Sequence, residues 1–284
     1  IAANVFNIVG DWLLIFGEFG LPEWGIFGAG LATTLATYFE VLLLVAVFLS
    51  PRVHAVFETR RWGRFEFRKA RRLLRIGLWT GLNFGLDIAS WTVFIAWVVG
   101  RLGTDVLAGH NAAAQIMHLA LMPAIGLNIG VTALVGRYIG MKDIAGAKRR
   151  GYLGMGCAAA YMTLMSALFV LLRSPLIGLF SRDPAVLAAG TTILCYMALY
   201  QFADAVTILA TGSLRGAGDT RFPALVMLSI AWFLFIPAAV VLGQADLYGI
   251  HGAWLSAAGY SWLLALILFL RFASEGWRKI NIFE

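Results

Sequence analysis

Eight stretches of this 284-residue chain are too long and too apolar for a single water-soluble core. They cover 1–17, 25–49, 76–100, 110–136, 151–172, 186–212, 222–243 and 249–271, and are lettered A to H in chain order. A helix that crosses a bilayer needs about 20 apolar residues, in a range of about 17 to 25. In hydrocarbon only helices and closed barrels satisfy their own backbone hydrogen bonds. Continuous runs of this length, without alternation, predict helices. The chain is 61% hydrophobic and 13% charged, with a mean hydropathy of +0.82, which excludes a soluble domain. The expected fold is an all-α, polytopic membrane protein with eight transmembrane helices, the first of them truncated. With Ile1 at the front and no signal-peptide n-region, the chain reads as a fragment of a longer protein.

The basic residues then set the expected orientation. Of the 22 Lys and Arg residues, nineteen lie in the B–C, D–E and F–G connections and in the C-terminal tail counted from Arg271 at the end of helix H, and three in the other connections. Positive residues collect on the cytoplasmic side. The expectation is a multi-pass protein of the cell membrane, the inner membrane in a bacterium, with the C-terminus in the cytoplasm. A net charge of +7 would suggest nucleic acid as partner in a soluble protein; in this pattern it is a topology signal, and no nucleic-acid partner is expected. Arg64, Arg68, Arg71, Arg72 and Arg75 share one face at helical spacing, which reads as an interfacial helix against anionic lipid head groups.

Gly25-Ile26-Phe27-Gly28-Ala29-Gly30-Leu31 at the start of B repeats as Gly249-Ile250-His251-Gly252-Ala253-Trp254-Leu255 at the start of H. Both copies follow an outward-facing connection. Parallel repeats about an axis along the membrane normal are a transporter architecture. On this reading residues 1–50 hold the last two helices of an N-lobe. Residues 51–75 are a basic cytoplasmic linker, 76–271 a complete six-helix C-lobe and 272–284 a cytoplasmic tail.

Charge inside a spanning helix is costly, roughly 2.5–3.5 kcal/mol for an acid on insertion scales, and marks function by default. Polar residues fall on single stripes of four helices: Asn4, Asn7 and Asp11 on A; Thr80, Asn83, Asp87 and Ser90 on C; Asn111, Gln115 and His118 on D; Tyr200, Asp204, Thr207 and Thr211 on F. Such stripes must face a cavity or a helix interface. Asp87 and Asp204 lie at comparable depth, where two carboxylates can share a proton or hold a cation. The four histidines form no ligand cluster, Cys157 and Cys195 give neither a disulfide framework nor metal spacing, and no nucleophile constellation is present. No enzyme and no cofactor are expected. Gly212 to Gly218 lacks the Lys-Ser/Thr ending of a phosphate loop. Its glycines read as a tight hairpin between F and G, with Arg215, Asp219 and Arg221 free to pair at the interface.

These residues resemble the multidrug and toxic compound extrusion (MATE) family. The resemblance is carried by Tyr200-Gln201-x-x-Asp204, by Gly212-Ser213-Leu214-Arg215-Gly216-Ala217-Gly218-Asp219-Thr220-Arg221-x-Pro223, by Asn7-x-x-x-Asp11, by Gly28 to Thr33, and by Gly136-Arg137-x-x-Gly140-x-Lys142-Asp143. It implies a twelve-helix, two-lobe transporter of which A to H are the fifth to twelfth helices. It also implies a monomeric antiporter that exports organic cations and drugs, its small-molecule substrates, by alternating access against an inward flow of Na⁺ or H⁺. Asp87 matches the seventh-helix acid and Asp204 the tenth-helix acid, with Tyr200 beside it; these two acids would hold any Na⁺. Asn7, Asp11 and Thr33 resemble the N-lobe part of the cation site. Trp12 stands where the family usually has Pro. The alternative is a flippase of lipid-linked precursors or polysaccharide with a related fold. Such a protein should carry Arg or Lys in its cavity helices, whereas the mid-helix charges from C to H are both acidic.

Overall fold

Among the described residues, seven helices are long and apolar enough to cross a membrane. The structure is a computed structural model that describes residues 1–20, 22–61, 66–244 and 246–279, with backbone only at 69, 72, 75, 76 and 279. The helices are α1 (Ala2–Phe16), α2 (Gly25–Phe48), α3 (Pro51–Phe57), α4 (Phe67–Val93), α5 (Thr104–Gly140), α6 (Ile144–Leu171), α7 (Arg173–Gly178), α8 (Pro184–Gly216), α9 (Arg221–Ile230), α10 (Ile236–Leu242) and α11 (Gly249–Ala273). α1, with 15 residues, is apolar but shorter than a full span. A π-helical turn, Phe94–Val98, extends α4, and a second, Ala231–Phe235, joins α9 to α10. Several helices outrun their apolar stretches. α5 begins six residues before its run and α8 ends four residues beyond it, because a helix persists into the polar interface as long as its backbone bonds are met.

The described residues form two compact units, 1–67 and 68–284. In the first, α1 and α2 pack through small residues, Gly10 lying against Ala32, and Phe6 stacks on Phe39 at 4.9 Å. Ser50 caps α3, and Pro51 occupies its first turn. Arg68 and Arg71 sit in the first turns of α4, which runs on unbroken to Val93. Arg64 lies outside the described residues, as do the side chains of Arg72 and Arg75.

The sequence repeat has matching geometry in each unit. Gly25 and Gly249 adopt φ +50 and +51, in the left-handed region that favours glycine. The carbonyl of Trp24 accepts from the N–H groups of Phe27 and Gly28 at 3.1 and 3.3 Å, and that of Tyr248 from His251 and Gly252 at the same two distances. Gly28 and Gly252 each leave room for a backbone carbonyl of the preceding helix, Leu14 and Leu242 respectively.

In the second unit α8 is the central post, packed by α5, α6 and α11. Its seam with α5 is backbone against backbone. A Cβ on Gly109 would lie 2.6 Å from the Gly190 nitrogen, and one on Gly216 would lie 2.5 Å from the Thr132 carbonyl oxygen. Gly212 faces Asn128 and Thr132, and Thr132 donates to the Gly212 carbonyl at 3.0 Å. The hairpin reading of 212–218 is therefore corrected. α8 stays helical to Gly216, Gly212 and Gly216 are packing glycines, and of the three glycines only Gly218, at φ +86, belongs to the turn.

The turn is held by α11. Asp219, 3% exposed, accepts on Oδ2 from Arg271 Nε at 2.9 Å and Nη2 at 2.8 Å, and on Oδ1 from the Phe222 N–H at 3.3 Å. The Arg271 guanidinium lies over the Phe222 ring, 4.6 Å from its centroid. Beyond α11, Trp277 is buried against Phe272 and donates to its carbonyl at 3.0 Å. Glu275 pairs with Lys148 at 2.5 Å and with Arg278. The Lys148 hydrogen bond, foremost, holds the Glu275 carboxyl below its ordinary value. What this pair adds to stability is present above the ordinary carboxylate range and fades as pH falls through the lowered value. Asp219→Asn strips a half-buried Arg271 of its counter-charge, so a loss of roughly 2 kcal/mol is expected. Thermal unfolding in detergent checks it; the double variant with Arg271→Gln should recover part of the loss, and an unchanged midpoint in Asp219→Asn would remove the clasp from the stability account.

Candidate functional site

Asp87 and Asp204 come from α4 and α8, and the fold brings them within electrostatic reach of each other. Neither has a basic partner in the described ion pairs. Asp204 faces the Ser261 hydroxyl, and Asp87 faces the indole of Trp91 one turn on. The Tyr260 phenol lies within reach of both carboxyl groups, and its hydroxyl is buried without a hydrogen bond. Tyr200, 1% exposed, lies beside Asp204 with its hydroxyl 3.7 Å from Met117 Sδ. Asn83, one turn before Asp87, points its amide nitrogen at Met227 Sδ, 3.5 Å away. Gln201 is fully buried, with both amide atoms unpaired, and Thr207 Oγ1 is unpaired as well.

An aromatic plate backs this polar group. Trp91 meets Phe235 at 5.6 Å and Tyr260 at 6.5 Å, Phe235 stacks on Tyr260 at 4.8 Å, and Phe94 meets Trp254 at 5.3 Å. The two π-helical turns bear on one another here through Phe94 and Phe235, 5.2 Å apart. Two acids, hydroxyls and amides against such a wall form a set of oxygen acceptors without fixed positive charge, which suits a proton or a hard cation.

Gln115 is on the exposed side of α5, with no hydrogen bond to the Asp87–Asp204 group among the described residues. In the first unit Asn7 Nδ2 lies 3.5 Å from Thr33 Oγ1, and Thr33 in turn donates to the Ala29 carbonyl at 3.0 Å. Asp11 Oδ1 is buried without a partner. Trp91, Tyr260 and Ser261 were missed from sequence; the Tyr-Ser pair midway along apolar run H is the one signal that pointed to them.

Among the described residues, the seven apolar spans define a multi-pass membrane protein, and its second unit carries two acids within electrostatic reach of each other. The chain belongs to the MatE family, whose profile matches residues 86–241. It is 33% identical over 282 residues to the probable multidrug resistance protein NorM of Brucella suis biovar 1, covering 96% of this chain and 58% of the relative. It is 30% identical over 289 residues to the multidrug resistance protein PmpM of Pseudomonas aeruginosa, covering 100% and 60%. A solved multidrug resistance MATE family transporter of the MOP superfamily, in an outward-facing conformation, shares the fold with a TM-score of 0.87 at 17% identity, covering 98% of this chain and 62% of that one. The chain thus spans about three fifths of the length of these relatives.

Proposed function

We propose that this chain forms the greater part of a cation-coupled antiporter that exports organic cations and drugs by alternating access. The observation that carries the reading is the pair Asp87 and Asp204, two acids in the middle of different apolar helices that lie within electrostatic reach of one another, with no basic partner among the described residues. Such a pair is costly when both members are ionised, so it takes up a cation or a proton and can give it up in exchange for a cationic substrate. Tyr200, Asn83, Tyr260 and Ser261 supply oxygen and amide groups around it. The multidrug names of the relatives agree with this substrate class.

In the same reading α1 and α2 are the last two helices of one lobe, α4 to α11 make the six-helix second lobe, and α1 is an eighth span. The matched geometry at Gly25 and Gly249 supports this division. Asn7, Asp11 and Thr33 then belong to a cation site of the first lobe, and Gln115 to the substrate-binding set of the second. The acidic character of the α4–α8 pair favours a cationic substrate over the diphosphate lipid of a flippase. Na⁺ and H⁺ both fit the oxygen set. Drug accumulation in cells carrying the complete transporter, with sodium and pH varied separately, tests the assignment. Export that follows one of the two gradients supports it; export indifferent to both would discard coupling.

The split of basic residues orients the protein with 51–75, 141–150 and the segment after α11 in the cytoplasm. A cysteine placed at position 60 or 148 should resist a membrane-impermeant thiol reagent in intact cells and react after permeabilisation. Labelling from outside would invert the topology.

A further inference from the structure

At the end of the second unit where α8 gives way to α9 lies a small pocket, open at its mouth, whose inner space of about 10 Å³ takes a single oxygen-sized group. Thr80 and Asn83 of α4, Thr211 and Arg215 of α8, and Asp219 and Thr220 of the turn line it. Arg215 is partly buried there and makes no hydrogen bond or ion pair among the described residues. The acid in the same wall does not serve it, because Asp219 is fully engaged with Arg271 and the Phe222 N–H. The pocket therefore holds one guanidinium, with its fork of five donors, beside hydroxyls and an amide. A planar fork of that kind is matched to phosphate-type oxygens, and leaving it without an acceptor is costly. The rim continues the pattern: Arg221 lies over the Trp79 ring, 5.6 Å from its centroid, immediately before Thr80. Arg68 and Arg71 lie two to three turns earlier on α4. Tryptophan with Arg at the end of spanning helices is the composition of a head-group belt.

We propose that this pocket binds a phosphate-type oxyanion, seated on Arg215, and that its source is the head group of an anionic lipid. The inference rests on membrane insertion and not on export, so it stands or falls apart from the proposed function. Arg215 is the anchor, Thr211 and Thr220 donate to the remaining oxygens, and Arg221 steers the head group from the rim.

Native mass spectrometry of the purified, complete transporter in neutral detergent tests this, with phosphatidylglycerol and phosphatidylcholine titrated as probes. Phosphatidylglycerol should bind more tightly, and Arg215→Gln should weaken it by about tenfold, the size of one charge-assisted contact. Arg101→Gln, at the opposite end of the bundle beside Trp97, should leave it unchanged. Competition with inorganic phosphate separates the two sources: bound lipid that resists it assigns the head group, and displacement assigns a free oxyanion in the same pocket. Should Arg215→Gln fail to fold, Arg215→Lys decides, since it keeps the charge and loses the fork; a fall of about threefold in the preference for phosphatidylglycerol is expected. Retention of phosphatidylglycerol that is indifferent to position 215 overturns the proposal. So does the absence of both lipid preference and phosphate binding, which would assign the Arg215 counter-charge to a protein acid.

Discussion

Asp204→Asn is expected to abolish or strongly reduce coupled export in the complete transporter, with the protein still inserted and folded. Asparagine keeps the size of the side chain and an acceptor oxygen for Ser261, so the packing around α8 and α11 should survive. It removes the charge that draws a cation and the oxygen that can take up a proton. Asp87→Asn should cause a similar loss. The double variant should add little, because two groups that act as one site are not additive. If sodium is the coupling ion, the single variants lose sodium dependence; if the proton is, they lose the pH gradient as a driving force. The rival view is that the two acids only hold α4 to α8. It predicts poor yield and a lowered thermal midpoint, with normal transport per folded molecule. Export rate divided by folded protein separates these outcomes. A normal ratio in Asp204→Asn would end the coupling role of this lobe and move attention to Asn7 and Asp11.

Gly109→Ala should be nearly as damaging, and by a wholly structural route. Its methyl group would meet the Gly190 nitrogen at 2.6 Å and the Val186 carbonyl oxygen at 3.0 Å. These are backbone atoms of the central helix and cannot swing aside as a side chain would. Relief requires α5 and α8 to part along a seam that is tight at Gly216 as well, and overpacking of this kind costs about 3 kcal/mol. Gly126→Ala, on the same helix with open space around it, should instead gain up to about 1 kcal/mol from helix propensity. Thermal unfolding in detergent and elution as a single species report both. Equal midpoints for Gly109→Ala and the parent chain would show that the seam is looser than its geometry.

The spans were legible because a 20-residue apolar run has few other uses, and the facing acids because a charge in such a run stands out against its neighbours. The repeat at Gly25 and Gly249 was legible for a sharper reason. A left-handed residue followed by a glycine against a backbone carbonyl leaves little freedom of sequence, and five of seven positions coincide. What escaped was decided at long range. Gly212 and Gly216 sit in a glycine-rich stretch whose composition signals a turn; only Asn128, Thr132 and Val135, far off on α5, reveal them as packing positions. The π-helical turns carry no residue signature and accompany the meeting of Phe94 with Phe235. Tyr260 and Ser261 carry no charge, so they register weakly in a hydropathy profile.

The contacts made by the end of α11 and the residues just after it impose an order on biosynthesis. Glu275 and Trp277 are translated after α11, whereas Lys148, Asp219 and Phe272, which that end of the second unit must neutralise or cover, are already in place. Until Arg271 arrives, Asp219 is a carboxylate without a partner. Until residue 277 leaves the ribosome, the Phe272 ring lacks its cover. A nascent or prematurely terminated chain therefore displays unpaired charge and bare aromatic surface at that end. Closure of that end marks chemically that synthesis has passed α11.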